Sequence, residues 1–169
     1  MITELTRMWL TRSTKPFLFK KEYDQELPFS DCDGLGLYVH IPFCRSICSF
    51  CPYCKTLYSE EACSRYIDAL IREIHLAGSQ IPGKKIVTSL YFGGGTPALA
   101  ADRIKEIIDA IQEHFIITQG IGIELHPENI TPRTLHILKE AGITKLSIGI
   151  QSFQEKFQKL LGRTGADMD

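Results

Sequence analysis

From Leu35 onward the chain switches repeatedly between two hydrophobic periods. Leu35, Leu37, Val39 and Ile41 recur at every second residue, which predicts a strand ended by Pro42. Ile67, Leu70, Ile71 and Ile74 recur at helical spacing and stop near Gly78. Residues 86–92, IVTSLYF, form an apolar, β-branched run that ends in Gly93-Gly94-Gly95. Ile104, Ile107, Ile108, Ile111 and Phe115 make a second helical stripe, and IGIEL at 121–125 a third strand. Thr131 and Pro132 read as a helix N-cap and first-turn proline, with Leu135 and Leu138 along that helix and Gly142 at its end. KLSIGI at 145–150 is a fourth strand, and Phe153, Phe157, Leu160 and Leu161 start a fourth helix.

Strands alternating with helices imply an α/β fold with a parallel sheet and right-handed crossovers. In such sheets the working residues collect at the carboxyl edge of the strands. The residues of unusual chemistry fall there: Cys44 to Cys54 after the first strand, Gly93 to Pro97 after the second, Glu124 to Glu128 after the third and Gln151 after the fourth. Residues 1–33 show no sustained period. Ile2, Leu5 and Trp9 can line a short helix, and Pro16 and Pro28 interrupt the stretch beyond it. They are read as an N-terminal extension to a domain covering residues 34–169.

Composition narrows the function classes. With 169 residues and 44% apolar content, the chain is long enough for one packed domain. Nineteen basic and 20 acidic residues leave a net charge of −1, with no basic surplus for a nucleic-acid partner. No apolar run approaches the roughly 20 residues needed to span a bilayer. The opening MITELTRMWLTRSTKPFLFKK lacks an apolar signal core with a small-residue cleavage site, so a cytoplasmic location is expected.

Cysteine is the outlier. Of six cysteines, Cys44, Cys48, Cys51 and Cys54 share one short segment. In a reducing compartment, clustered thiols read as metal ligands or redox groups before disulfides. Cys44, Cys48 and Cys51 give C-x3-C-x2-C. Thiolates are the usual ligands of iron–sulfur clusters, and three from one loop hold three irons of a cubane while leaving the fourth open. A structural zinc on all four cysteines is the alternative, but zinc sites usually join two C-x2-C-like pairs across a longer insertion. A fourth thiolate from Cys54 would close the open iron, so a non-ligating role is expected for it. Cys32 and Cys63 are isolated, and Cys63 is read as a small buried hydrophobe.

Glycines at 93–95 let a ligand approach the backbone, whose N–H groups can grip a carboxylate; a plain tight turn is the alternative. Gly93-x-Gly95-x-x-Ala98 fits the dinucleotide fingerprint only loosely, Pro97 disrupts the turn into the helix, and the Gly-Lys-Ser/Thr of a P-loop is missing. Glu124 is either a solvated strand-end carboxylate or a polar contact to a cofactor. His126 beside it is read as structural.

The stretch YVHIPFCRSICSFC (38–51) resembles the signature of radical S-adenosylmethionine (SAM) enzymes. More narrowly, it resembles the branch that contains oxygen-independent coproporphyrinogen III oxidase and the related heme chaperones. YFGGGTP (91–97), ELHPENIT (124–131) and KLSIGIQSFQEKFQKLLGR (145–163) agree in order and spacing, so the resemblance covers about residues 35–163. It implies a [4Fe–4S] cluster on Cys44, Cys48 and Cys51, with SAM at the open iron. Gly94, Gly95 and Thr96 would hold the aminocarboxylate end of SAM, and Glu124, Gln151 and Arg163 would be further SAM contacts. Tyr38 and Phe50 match positions that help to seat the cofactor; Phe50, between two ligands, could also shield the cluster from water.

The implied fold is a partial (β/α) barrel, about four βα units of the family's six-unit three-quarter barrel. The implied reaction is reductive cleavage of SAM to methionine and a 5′-deoxyadenosyl radical. In the oxidase that radical takes hydrogen from a propionate side chain of coproporphyrinogen III, and decarboxylation leaves a vinyl group. Implied partners are a tetrapyrrole (coproporphyrinogen III or heme) and a reductase or flavodoxin-type electron donor. A non-catalytic heme carrier is the alternative within the same family. Two departures stand out. The oxidase pattern has its extra cysteine two residues after the third ligand, whereas Cys54 comes three after; and Gly165 stands where the family usually has His or Gln. A sheet ending at its fourth strand is also expected to expose its edge and uncovered apolar faces, favouring self-association.

Overall fold

In the computed structural model, residues 32–162 are described. Most of the N-terminal extension, including Ile2, Leu5 and Trp9, and Arg163 with the residues after it, lie outside the described residues.

The strands are β1 (Gly34–Ile41), β2 (Phe43–Cys44), β3 (Thr56–Leu57), β4 (Lys85–Gly94), β5 (Phe115–Ile117), β6 (Ile121–Leu125) and β7 (Ile143–Ile148). Between and after them run helices α1 (Glu60–Ser79), α2 (Ala101–His114), α3 (Pro132–Glu140) and α4 (Glu155–Leu160). The main sheet has the order β1-β4-β6-β7, with β5 also on β4, and every pairing is parallel. The four expected strands are therefore neighbours in chain order, each crossover being one helix, as the periodicity requires.

Alternation along the strands decides which face is covered. Val39 and Ile41 of β1, Val87, Leu90 and Phe92 of β4, and Ile123 of β6 are buried with Ile67 of α1 and Ile104, Ile107 and Ile111 of α2. Each such side chain contributes roughly 1.5–3 kcal/mol on leaving water. Ser59 caps α1 by accepting from Ala62 N at 3.2 Å. At α3, Thr131 accepts from Thr134 N at 3.1 Å and Pro132 occupies the first turn, as expected.

Three details depart from the periodicity. Phe115 does not continue the stripe of α2; it is extended, and it opens β5 while remaining buried. Phe115-Ile116-Ile117 is a bulky, β-branched run that pairs with the first residues of β4, Lys85 to Val87, while β6 pairs with Leu90 to Phe92. Two segments thus share one side of one long strand. Gly93 and Gly94 belong to β4 rather than to a turn. Finally, α4 begins at Glu155, leaving Phe153 82% exposed ahead of it.

β7 is the margin of the sheet, and only its first residue is buried. Leu146 is 47% exposed, and Ile148, Phe157 and Leu160 are exposed as well. The open apolar margin expected from the sequence is present.

Candidate functional site

The cysteine loop is pinched at its base. β1 ends at Ile41, and after Pro42 the chain forms the two-residue strand β2, which pairs in parallel with β3. Thr56 N donates to Pro42 O at 2.7 Å and Tyr58 N to Cys44 O at 2.8 Å, so residues 45–55 leave and return at one point. Within the loop Cys51 N reaches Cys48 O at 3.4 Å, and the Lys55 ammonium donates to Cys51 O. His40 Nε2 lies 3.0 Å from Cys54 O.

The end of β4 runs under this loop. Gly95 N donates to Ile41 O at 2.9 Å and Thr96 N to Phe43 O at 2.7 Å. These amides are committed to the fold, so a carboxylate grip through them, which the glycine run suggested, is not what the loop offers. The glycines serve close approach instead. Gly94 has φ +123°, and a Cβ there would lie 2.8 Å from Ile41 O; a Cβ on Gly95 would lie 2.6 Å from Phe43 O. Thr96 Oγ1 donates to Cys44 Sγ at 3.9 Å. Burial pushes the Cys44 thiol above its ordinary pKa, an effect the Thr96 hydrogen bond opposes and the neighbouring Cys51 and Cys48 reinforce. A coordinated metal overrides such a shift by deprotonating the thiol outright.

Glu124 stands half-buried near the end of β6. After β6, His126 Nδ1 accepts from Glu128 N at 3.3 Å, capping a short 3-10 turn, which fits its structural reading. Gly149 N donates to Leu125 O at 3.0 Å, extending the β6–β7 pairing and delivering Gln151 with φ +70°.

One cavity of about 140 Å³ gathers these elements. Cys44, Cys48, Cys51, Phe50, Gly94, Gly95, Thr96, Glu124 and Gln151 all line it. Cys54 does not, and its side chain is exposed. Tyr38 lies outside the lining. It is 58% exposed on the sheet face, stacked on Tyr91 with centroids 6.3 Å apart, and its phenol pKa is raised by partial burial and by the charge of Glu124. Arg45, Lys55 and Asn129 also line the cavity and carried no sequence signal of their own. Asn129 is 8% exposed, and only its place inside the ELHPENIT segment could have flagged it.

A family profile described as Radical SAM superfamily matches residues 38–168. The chain belongs to the radical SAM superfamily. Among its relatives, an anaerobilin synthase of Escherichia coli O157:H7 is 39% identical over 132 residues, covering 76% of this chain and 30% of that protein. An oxygen-independent coproporphyrinogen III oxidase of Pseudomonas aeruginosa is 33% identical over 135 residues, covering 76% and 29%. The heme chaperone HemW of Bacillus subtilis is 30% identical over 136 residues, covering 78% and 36%. The solved structure of coproporphyrinogen III oxidase (HemN) from Escherichia coli, a radical SAM enzyme, superposes with a TM-score of 0.71 at 33% identity over 81% of this chain and 32% of that one. This radical SAM chain thus spans about a third of the length of the relatives it matches.

The partial-barrel α/β fold is that of the superfamily, whose cofactors are a [4Fe–4S] cluster and SAM. The donor set fits both. Three thiols border a cavity whose floor is glycine backbone that side chains would fill, and polar groups from β6 and the segment after β7 face the same space. No helix among the described residues is long and apolar enough to cross a membrane.

Proposed function

We propose that this chain is the cofactor-binding part of a coproporphyrinogen dehydrogenase-like radical SAM protein acting in porphyrin or heme metabolism. The observation that carries the reading is the convergence of Cys44, Cys48, Cys51, Gly94, Gly95, Thr96, Glu124 and Gln151 on one cavity from four separate strand ends. When bound, the cluster supplies the electron that cleaves SAM reductively.

The chain's own residues divide the remaining work. Cys44, Cys48 and Cys51 are the cluster ligands, and Cys54, outside the cavity, is not. Thr96, through its hydrogen bond to Cys44, fixes the first ligand and lies where it can also meet SAM. Glu124 and Gln151 offer polar contacts to SAM from the facing wall, and Phe50 beside the cysteines limits water access, which tunes cluster potential. Tyr38, on the sheet face next to Glu124, borders the cofactor rather than the cluster. Arg163 is a further SAM contact in this reading.

Coproporphyrinogen III oxidase and heme chaperone are names that both specify a tetrapyrrole, and this supports a tetrapyrrole ligand. The likeness to HemW favours a second reading, a heme carrier without turnover. Anaerobic reconstitution with iron and sulfide, followed by reductant and SAM, tests the first. The expected result is a brown protein that forms 5′-deoxyadenosine and methionine; a colourless protein indifferent to SAM overturns it. Heme added to the same preparation separates the two readings: a Soret shift without decarboxylated porphyrin supports the carrier.

A further inference from the structure

A second constellation of ligating side chains lies at the opposite edge of the sheet. His75 is in the C-terminal part of α1, and Glu113 and His114 close α2. His114 immediately precedes Phe115, which pairs with Lys85 at the first residue of β4. The group therefore sits at the amino edge of the strands, whereas the cysteines sit at the carboxyl edge.

His75 Nδ1 lies 3.0 Å from His114 Nε2 and 3.7 Å from Glu113 Oε2, and the ligand atoms of all three lie within 4.8 Å of one another. Zinc holds imidazole nitrogen and carboxylate oxygen at about 2.0–2.1 Å, so two ligands at the tetrahedral angle stand about 3.3 Å apart. The two observed separations bracket that figure. Glu113, 65% exposed, is free to complete the fit by a rotamer adjustment.

A second observation fixes the geometry. A Cβ on Gly78 would lie 2.1 Å from Cγ of His114, so the imidazole rests on bare backbone of α1, three residues along from His75. Glycine inside a helix costs roughly 0.5–1 kcal/mol relative to alanine; here it makes the seat for a ring. The two imidazoles meet edge to face, at 5.3 Å and 73°, with nitrogens turned together. A shared proton with Glu113 as its counter-ion is the competing account of the same three groups, and metal titration separates the two. The C-terminal ends of both helices, which carry partial negative charge, also converge here and favour a cation.

We propose that His75, Glu113 and His114 bind a divalent transition ion of the zinc class, with water in a fourth position, and so clamp α1 to α2. Nitrogen, nitrogen and oxygen donors with one open position are a known zinc ligand set. The site is separate from the thiols and does not depend on the radical SAM chemistry.

The test is titration of Zn²⁺ into the full chain with Cys44→Ser, Cys48→Ser and Cys51→Ser, which removes competing thiols. Competition with a chromophoric chelator gives affinity and stoichiometry, and melting temperature gives the clamp. One ion per chain and a zinc-dependent rise in melting temperature are expected. Because even outer partners of metal ligands are worth about 10–100-fold in affinity, His75→Gln or Glu113→Gln should weaken binding at least that much. No zinc binding, or an affinity in either variant equal to that of the parent, overturns the proposal. Should the serine chain fail to fold, Co²⁺ bound to the intact chain replaces it. Co²⁺ bound beyond the thiolate-ligated equivalent must then appear and be lost in His75→Gln; a second equivalent that persists in that variant, or never appears, refutes the site.

Discussion

Gly95 lies directly against Cys44: a methyl group on the glycine would stand 2.8 Å from the cysteine sulfur. The sequence separates the two residues by β3, α1 and β4, and the β1–β4 pairing brings them together. Gly95→Ala must push the sulfur or the Phe43 carbonyl aside. Overpacking of this kind costs about 1–3 kcal/mol. Iron and sulfide incorporated on anaerobic reconstitution should fall severalfold, and a variant that loads as fully as the parent would remove the glycine from the site.

Gln151 holds φ +70°, where a side chain costs about 1–2 kcal/mol and glycine nothing. After the entropy that glycine adds to the unfolded chain, Gln151→Gly should stabilise the fold by about 0.5–1 kcal/mol. SAM binding should weaken in the same variant, because the amide facing the cavity is gone. Opposite signs in a melting curve and a SAM titration are the expected pattern; unchanged SAM affinity would show the strain to be unrelated to the cofactor.

Cys54 donates nothing to the cavity. Its carbonyl meets His40 and its thiol is exposed. Cys54→Ser should reconstitute with iron and sulfide as the parent does, whereas Cys51→Ser should lose the cluster. A four-cysteine zinc site would make both substitutions equally damaging to metal content.

Burial holds the Cys63 thiol above its ordinary pKa, with Arg103 pulling the other way. A group raised in this way adds stability that is complete below the unfolded thiol's pKa, about 8.5, and is lost as pH climbs through the folded value. Unfolding free energy from urea curves should therefore decline above about pH 8.5, and Cys63→Ala should flatten that decline. An unchanged slope would mean that the alkaline loss arises elsewhere.

Leu146, Phe153 and Leu160 present apolar surface at the open margin of the sheet. Concentration-dependent scattering mass is expected from the chain by itself. Replacing Phe153 and Leu160 together by glutamine should lower it without altering the melting temperature, since neither side chain is packed.

The strands and helices were legible because each one shows a face to a single core, which writes its period into the residues: β6 at 121–125 and the Thr131–Pro132 helix start match residue for residue. Phe115 misled because its spacing continues the stripe of α2 while its own β-branched neighbours prefer an extended chain. β2 and β3, two residues each, are too short for any period, although they set the geometry of the cysteine loop. The cysteines, Glu124 and Gln151 announced themselves by residue type at strand ends. Asn129 and the His75–Glu113–His114 group did not. Their partners come together only through a turn and through helix packing, which no local spacing records.

The paired stubs β2 and β3 also fix the two points at which the loop leaves and rejoins the framework. A segment whose two ends meet at fixed hydrogen bonds can change its interior without disturbing the strands beneath it. Residues 45–55 are therefore tethered at both ends, while Cys44 stays in the pinch against Gly95 and Thr96: an insertion between the second and third thiols should change their spacing without moving the first.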